Sequence, residues 1–323
     1  MAAKPITENT LFYGDNLPIL HEYIADESID LIYLDPPFNS KRTYNVLFKD
    51  ESGLESEAQI AAFDDTWHWN RAAEETYHEL VTQAPDHVSR MIAALREFIG
   101  TNQMMAYLVM MTIRLVELHR VLKSTGSLYL HCDPTASHYL KIILDTLFGP
   151  YNFRNEVIWK RTTAHSDSGT CGNTHDVILF YTKSSKLIWN KQYQPYDETY
   201  IQSHYRRVSE DGRRYRTDNL TAYGLSGGGY TYEWNGVTKL WRVPEEKMRE
   251  LDEQGRIHYT RTGTAEYIRY LDEMPGVPLQ DIWDDISPIN SGSLGFRRER
   301  PHIVVLRLGE SAIARKVEIK ALE

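Results

Sequence analysis

The sequence predicts an α/β protein, a mainly parallel, doubly wound sheet interrupted by a separate module. Three observations carry this. Strand-like and helix-like segments alternate through the first 185 residues. A buried strand at 28–37, SIDLIYLDPP, ends on two prolines that halt it. Beyond residue 184 the alternation gives way to a stretch rich in Tyr, Trp, Arg and Gly with little periodicity.

In chain order, TLFYG (10–14) is β-rich and closes on Gly-Asp, and NLPILHEYIA (16–25) has helical spacing. After the proline-stopped strand, residues 39–100 are polar and irregular, with the aromatics Phe63, Trp67 and Trp69, and turn helical at HVSRMIAALREFIG. They read as a long insertion or lid. From Asn102 to Lys123 apolar residues recur at helical spacing, and Ser124-Thr125-Gly126 closes that helix before the strand SLYLHC (127–132). A helix, SHYLKIILDTLFG (137–149), and two strands, NEVIWK (155–160) and HDVILFYTK (175–183), follow. Residues 190–280 contain a glycine-rich turn from Gly224 to Tyr230, and their composition fits a recognition module better than more sheet. From Gly292 the composition shifts again, to a tail that can form one strand and one helix but carries no nameable motif. No internal repeat is found.

The 323 residues are 41% hydrophobic, enough for a sizeable core. The most apolar helix, Met104 to Leu122, is interrupted by Arg114, Glu117, His119 and Arg120, so no membrane span is expected. MAAKPITENT lacks the apolar run of a signal peptide, and a cytoplasmic location is expected. Cys132 and Cys171 are too few for a disulfide framework and are read as free thiols. The net charge of −9 argues against a surface that binds polyanions everywhere, but clustering matters more than the sum. HYRRVSEDGRRYR (204–216) sets five arginines against two acids, with tyrosines interleaved.

The sharpest chemical signal is Asp35-Pro36-Pro37-Phe38 at the carboxyl end of its strand, where open α/β sheets bind ligands. The N6 of adenine is a poor nucleophile because its lone pair is delocalised into the ring. Two acceptors would draw it toward tetrahedral geometry: the Asp35 carboxylate for one N6–H and the Pro36 carbonyl for the other, with consecutive prolines fixing that carbonyl's direction. Phe38 can stack on a base swung out of the duplex. The bland alternative is that Pro-Pro stops the strand and Phe38 packs nearby.

Tyr13-Gly14-Asp15-Asn16, LIYLDPPFNSKRTYN, GSLYLHCDPTASHYLKIILDTLFGPYNFRNEVIWKR and HDVILFYTKS resemble, in that order, the circularly permuted class of adenine-N6 DNA methyltransferases, which includes modification subunits of restriction systems. The resemblance covers roughly 8–290. It implies the Rossmann-like fold of S-adenosylmethionine-dependent methyltransferases, a catalytic motif at Asp35, Pro36, Pro37 and Phe38, and Asp15 and Asn16 at the edge of the cofactor pocket. Asp as first letter favours adenine over cytosine N4. The resemblance also implies a catalytic core over 1–185, a target recognition domain over 186–290 and an atypical tail over 291–323. DNA contacts fall to Arg206, Arg207, Arg213 and Arg214, to phosphate or guanine edges, and to Lys41 and Arg42, to the backbone of the flipped nucleotide. A solvated charged loop is the competing reading for each arginine.

The resemblance stops after Ser293, where the family's cofactor half would follow. It implies an unpaired sheet edge beside IDLIYL and S-adenosylmethionine binding that depends on more than this chain. The leading expectation is a site-specific DNA methyltransferase that transfers a methyl group to adenine N6 by base flipping, its tail from about Gly292 truncated or frameshifted; the alternatives are a non-catalytic DNA-binding remnant and one part of a split enzyme. The expected partners are duplex DNA and either a restriction endonuclease or a complementing methyltransferase chain. A methyltransferase for RNA or protein is a further rival. His131, Cys132, Asp133 and His138 are not read as a metal site, because neighbours on a strand point to opposite sides. Gly227–Gly229 is not read as a phosphate loop, lacking a buried strand before it and a helix start after it.

Overall fold

A computed structural model describes residues 10–12, 14–36, 43–44, 63–64, 67–162, 169–224, 227–286 and 303–307, with backbone alone at 43–44, 63–64 and 303–307. The chain divides into two compact units, one formed by 1–190 with 280–323 and the other by Lys191–Leu279.

In the first unit, helix α1 is Asn16–Tyr23 and strand β1 is Ile29–Asp35. Helices α2, Arg71–Gln83, and α3, Asp86–Ile99, follow, then α4, Gln103–Val121, which begins where the Asn102 side chain accepts from the Met105 amide. Strand β2 is Leu122–Cys132, α5 is Pro134–Phe148, β3 is Phe153–Lys160 and β4 is His175–Thr182. The sheet runs in the order Ile282–Trp283, β3, β4, β2, β1, Ile303–Arg307. It is mixed where strand–helix alternation predicts a mainly parallel one. β1 lies parallel to β2, and Ile282–Trp283 parallel to β3, whereas β4 runs antiparallel to both neighbours.

Alternation along the strands separates two faces. Ile32, Leu34, Leu128, Leu130, Cys132, Val177, Leu179 and Tyr181 join residues of α1 to α5 in one continuous core. Asp35, Tyr129, His131, Asp176, Phe180 and Trp159 belong to the other parity, and Tyr129 stacks on Phe180 with centroids 4.3 Å apart. The side chain of Asp35 therefore leaves the sheet on the face opposite the helices, at the carboxyl end of its strand.

Three sequence expectations change. TLFYG is not a strand in its described part, since Thr10–Phe12 carry no ladder and the chain passes into the α1 cap. Ser124-Thr125-Gly126 does not end α4 but lies within β2, where the pairing with β1 shifts between Ile29 and Leu31. A Cβ on Gly126 would stand 2.6 Å from Leu122 Cδ1, so a larger residue at this bulge would have to displace the Leu122 side chain. The free edge expected beside β1 is occupied by Ile303–Arg307, antiparallel, with Asp35 opposite Ile303. Among the described residues no helix is long and apolar enough to cross a membrane.

In the second unit Arg214–Asn219 lies between Ala265–Tyr270 and Arg207–Val208 in a four-stranded sheet completed by Ile257–Tyr259. A hairpin, Tyr230–Trp234 with Val237–Trp241, and the helix Glu245–Glu253 enclose a small core around Trp241, Met248 and Leu251.

Candidate active site

Asp35 is the last residue of β1, and Pro36 carries the chain off the sheet. Pro37 and Phe38, and Lys41 and Arg42, lie outside the described residues. On the neighbouring strand His131 is buried, with a side chain 3% exposed. Its Nδ1 stands 2.9 Å from Asp35 Oδ1 and its Nε2 3.3 Å from Asp176 Oδ2. Asp176 is fully buried and Arg161 Nη1 lies 3.5 Å from the same Oδ2. Trp159 closes the side of the imidazole edge-on at 5.6 Å and is itself fixed by donating Nε1–H to the Ile286 carbonyl.

This row explains how two acids are tolerated at a mostly buried position. A lone buried carboxylate costs several kcal/mol, on the order given for desolvated ions, unless it is paired. Burial alone would lower the pKa of His131, but its hydrogen bonds to Asp176 and Asp35 outweigh that and raise it. Two carboxylates, one imidazolium and one guanidinium then sum to no net charge. Cys132, next in the chain, points into the helix-side core, and burial pushes its thiol well above the usual range. His131 and Cys132 thus take opposite faces, and the role of His131 is set by carboxylates. Sequence reading weighed His131 only as a metal ligand; the one signal available was a histidine at the end of the strand expected to lie in the same sheet as the Asp-Pro-Pro strand.

Asp15 caps α1 by accepting the Leu17 amide. Arg114 of α4 donates to both Asp15 oxygens at 2.8 and 2.9 Å, to Asn16 Oδ1 at 2.8 Å and to the Met110 carbonyl at 3.1 Å. Arg114 escaped sequence reading because its partners lie almost a hundred residues upstream.

The arginines of the second unit differ in what they can offer. Arg206 and Arg214 are exposed, and their guanidiniums have no hydrogen-bond partner among the described residues. Arg207 donates to His258 Nε2 at 2.7 Å. Arg213 is committed internally: it grips Asp272 and Glu273 and lies 3.8 Å over the Tyr270 ring, while Arg256 holds Glu273 from the other side. Those two guanidiniums hold the Glu273 carboxyl at about 2.

Asp35 and Pro36 thus stand at the carboxyl end of a sheet strand, with Asp35 braced by His131 from the next strand. The family model for DNA methylases matches residues 29–304, and the chain belongs to that family. Over 305 residues it is 26% identical to the Mod subunit of the type III restriction-modification enzyme StyLTI of Salmonella typhimurium, covering 90% of this chain and 43% of that one. It is 24% identical over 295 residues to the type II methyltransferase M.EcaI of Enterobacter cloacae, covering 90% and 55%. The chain thus spans about half the length of these curated relatives. A solved Thermus thermophilus protein described as a DNA modification methylase, complexed with S-adenosyl-L-methionine, aligns with a TM-score of 0.32 at 12% identity, over 85% of this chain and 66% of that one.

Proposed function

We propose that this chain takes part in methylating adenine at N6 in duplex DNA, with S-adenosylmethionine as methyl donor and the target base swung out of the helix. The observation that carries the reading is the Asp35 carboxylate at the end of β1, followed by Pro36 and braced by His131. Bound S-adenosylmethionine supplies an electrophilic methyl group on a sulfonium. Asp15 and Asn16 fit the edge of its pocket: Asp15 keeps an accessible acid, 55% exposed, suited to an ammonium group, and Arg114 fixes both residues to α4.

Asp35 and Pro36 supply the acceptors for the substrate. With Asp35 Oδ1 against His131, Oδ2 remains to accept one N6–H, and the Pro36 carbonyl accepts the other. This draws the nitrogen lone pair out of conjugation and toward the methyl carbon. A methyl group held on that sulfonium would meet the exposed lone pair, and N6 would release one of its protons. Arg206, Arg207 and Arg214 are cations of the second unit that would meet phosphate or base edges, while Arg213 pairs with Asp272 and Glu273. The Mod relatives point to a restriction subunit as partner.

Labelled methyl transfer to a duplex oligonucleotide, followed by nucleoside analysis, tests the reading. N6-methyladenine should form, and D35A should abolish it while leaving DNA binding intact. A D35A chain that still methylates, or a product that is N4-methylcytosine, overturns it.

A further inference from the structure

We propose that His131, donating from both ring nitrogens to Asp35 and Asp176, is a positioning residue that sets the rotation of the Asp35 carboxylate and leaves Oδ2 as the acceptor for the substrate amino group. The inference deepens the reading above and rests on it for the identity of the substrate.

An ionised acid only accepts, so a histidine with one carboxylate oxygen at each nitrogen must donate from both, which only the imidazolium does. The arrangement is not symmetric. Asp35 retains 22% of its side-chain exposure, whereas Asp176 is sealed. Asp176 Oδ1 has no hydrogen-bond partner among the described residues, so the acid is held through Oδ2 alone, by His131 and Arg161. It has no substrate to meet and serves as the counter-charge that keeps the imidazole protonated. Trp159 limits rotation of the ring. Among the described residues the charged groups facing His131 are Asp35 from β1, Asp176 from β4 and Arg161 just beyond β3, with Asp133 two residues on along its own chain turned to cap α5.

Without this brace the Asp35 carboxylate turns about its last torsion, and its two oxygens exchange places. With Oδ1 pinned at 2.9 Å, the free oxygen has one direction, which is the preorganisation that an amino group losing its conjugation requires.

Two measurements on the full chain test this. Nuclear magnetic resonance with isotope-labelled histidine should show both ring nitrogens of His131 protonated at neutral pH, titrating above the usual histidine range. The isosteric variant D176N should lower that titration. A neutral, single-tautomer His131 overturns the proposal, and this readout needs no catalysis. In methyl transfer, H131Q and D176N should lower kcat by ~10- to 100-fold, the scale expected when a reacting group is misaligned, and should shift the acid limb of the pH profile while the KM for DNA stays within about twofold. Retention of wild-type kcat by both variants, in a chain where D35A is inactive, also overturns it. If D35A retains activity, the substrate reading fails and the resonance experiment still decides the state of His131.

Discussion

Arg114 is where a single substitution should expose how the α1 segment is held. Its guanidinium is 17% exposed and makes four hydrogen bonds, two to Asp15, one to Asn16 and one to the Met110 carbonyl. The Asp15 pair is discounted, because that acid is 55% exposed and returns to water when released, so ~0.5–1 kcal/mol is assigned to it. The Asn16 bond, to a partly buried amide, adds ~1 kcal/mol, and loss of the packed stem adds a similar amount. R114A should therefore destabilise the first unit by ~2–3 kcal/mol. With a urea slope near the upper end of the usual ~1–3 kcal/mol/M, the midpoint falls by about 1 M, read by far-UV circular dichroism. D15N alone should cost no more than ~1 kcal/mol, and the double variant should show a coupling of ~0.5–1 kcal/mol. An R114A midpoint equal to wild type, or zero coupling to Asp15, would refute the claim that Arg114 fastens this segment.

His119 packs edge-on against Phe148 at 4.8 Å, and burial, aided by Lys183 and His87, lowers its pKa from 6.5 to about 4. The fold favours neutral His119, so its contribution is complete above pH 6.5 and is lost as pH falls toward and through 4. After discounting for partial exposure this amounts to ~2 kcal/mol, and urea titrations between those limits should show a slope that H119Q removes. An unchanged slope in H119Q would assign the dependence elsewhere. Gly276 has φ +112°, and an added Cβ would run into the Gln194 carbonyl. G276A should cost the second unit ~2 kcal/mol or more and speed its proteolysis, and wild-type resistance would contradict that.

The core strands were legible because their cues are local. IDLIYLD reads as a buried strand stopped by prolines, HDVILFYT as a second, and α4 and α5 follow from periodicity. TLFYG has the propensity of a strand, but propensity is realised only with a partner, and the Asp15 cap claims the chain instead. Ser124-Thr125-Gly126 has the letters of a helix stop; the same glycine equally serves a bulge, and only register against β1 decides between them. Asp35 was visible as chemistry, whereas His131, 96 residues away, needed the β1–β2 register to become its neighbour. Arg213, counted as a DNA contact from its place in a basic run, faces two acids nearly sixty residues downstream that no local window contains.

The way the second unit is tied off has a consequence for how such chains diversify. Tyr193–Gln194 pairs antiparallel with Val277–Pro278, and the Leu279 amide donates to the Gln192 carbonyl at 2.9 Å. The two ends of an 89-residue excursion, Lys191 to Leu279, are thus stapled side by side before the chain rejoins the sheet. Genetic exchange with breakpoints beside those two positions would replace the entire excursion in one event and leave β1, β2 and the Asp35–His131–Asp176 row untouched. The excursion and the row of charged side chains are in this way free to evolve on separate clocks.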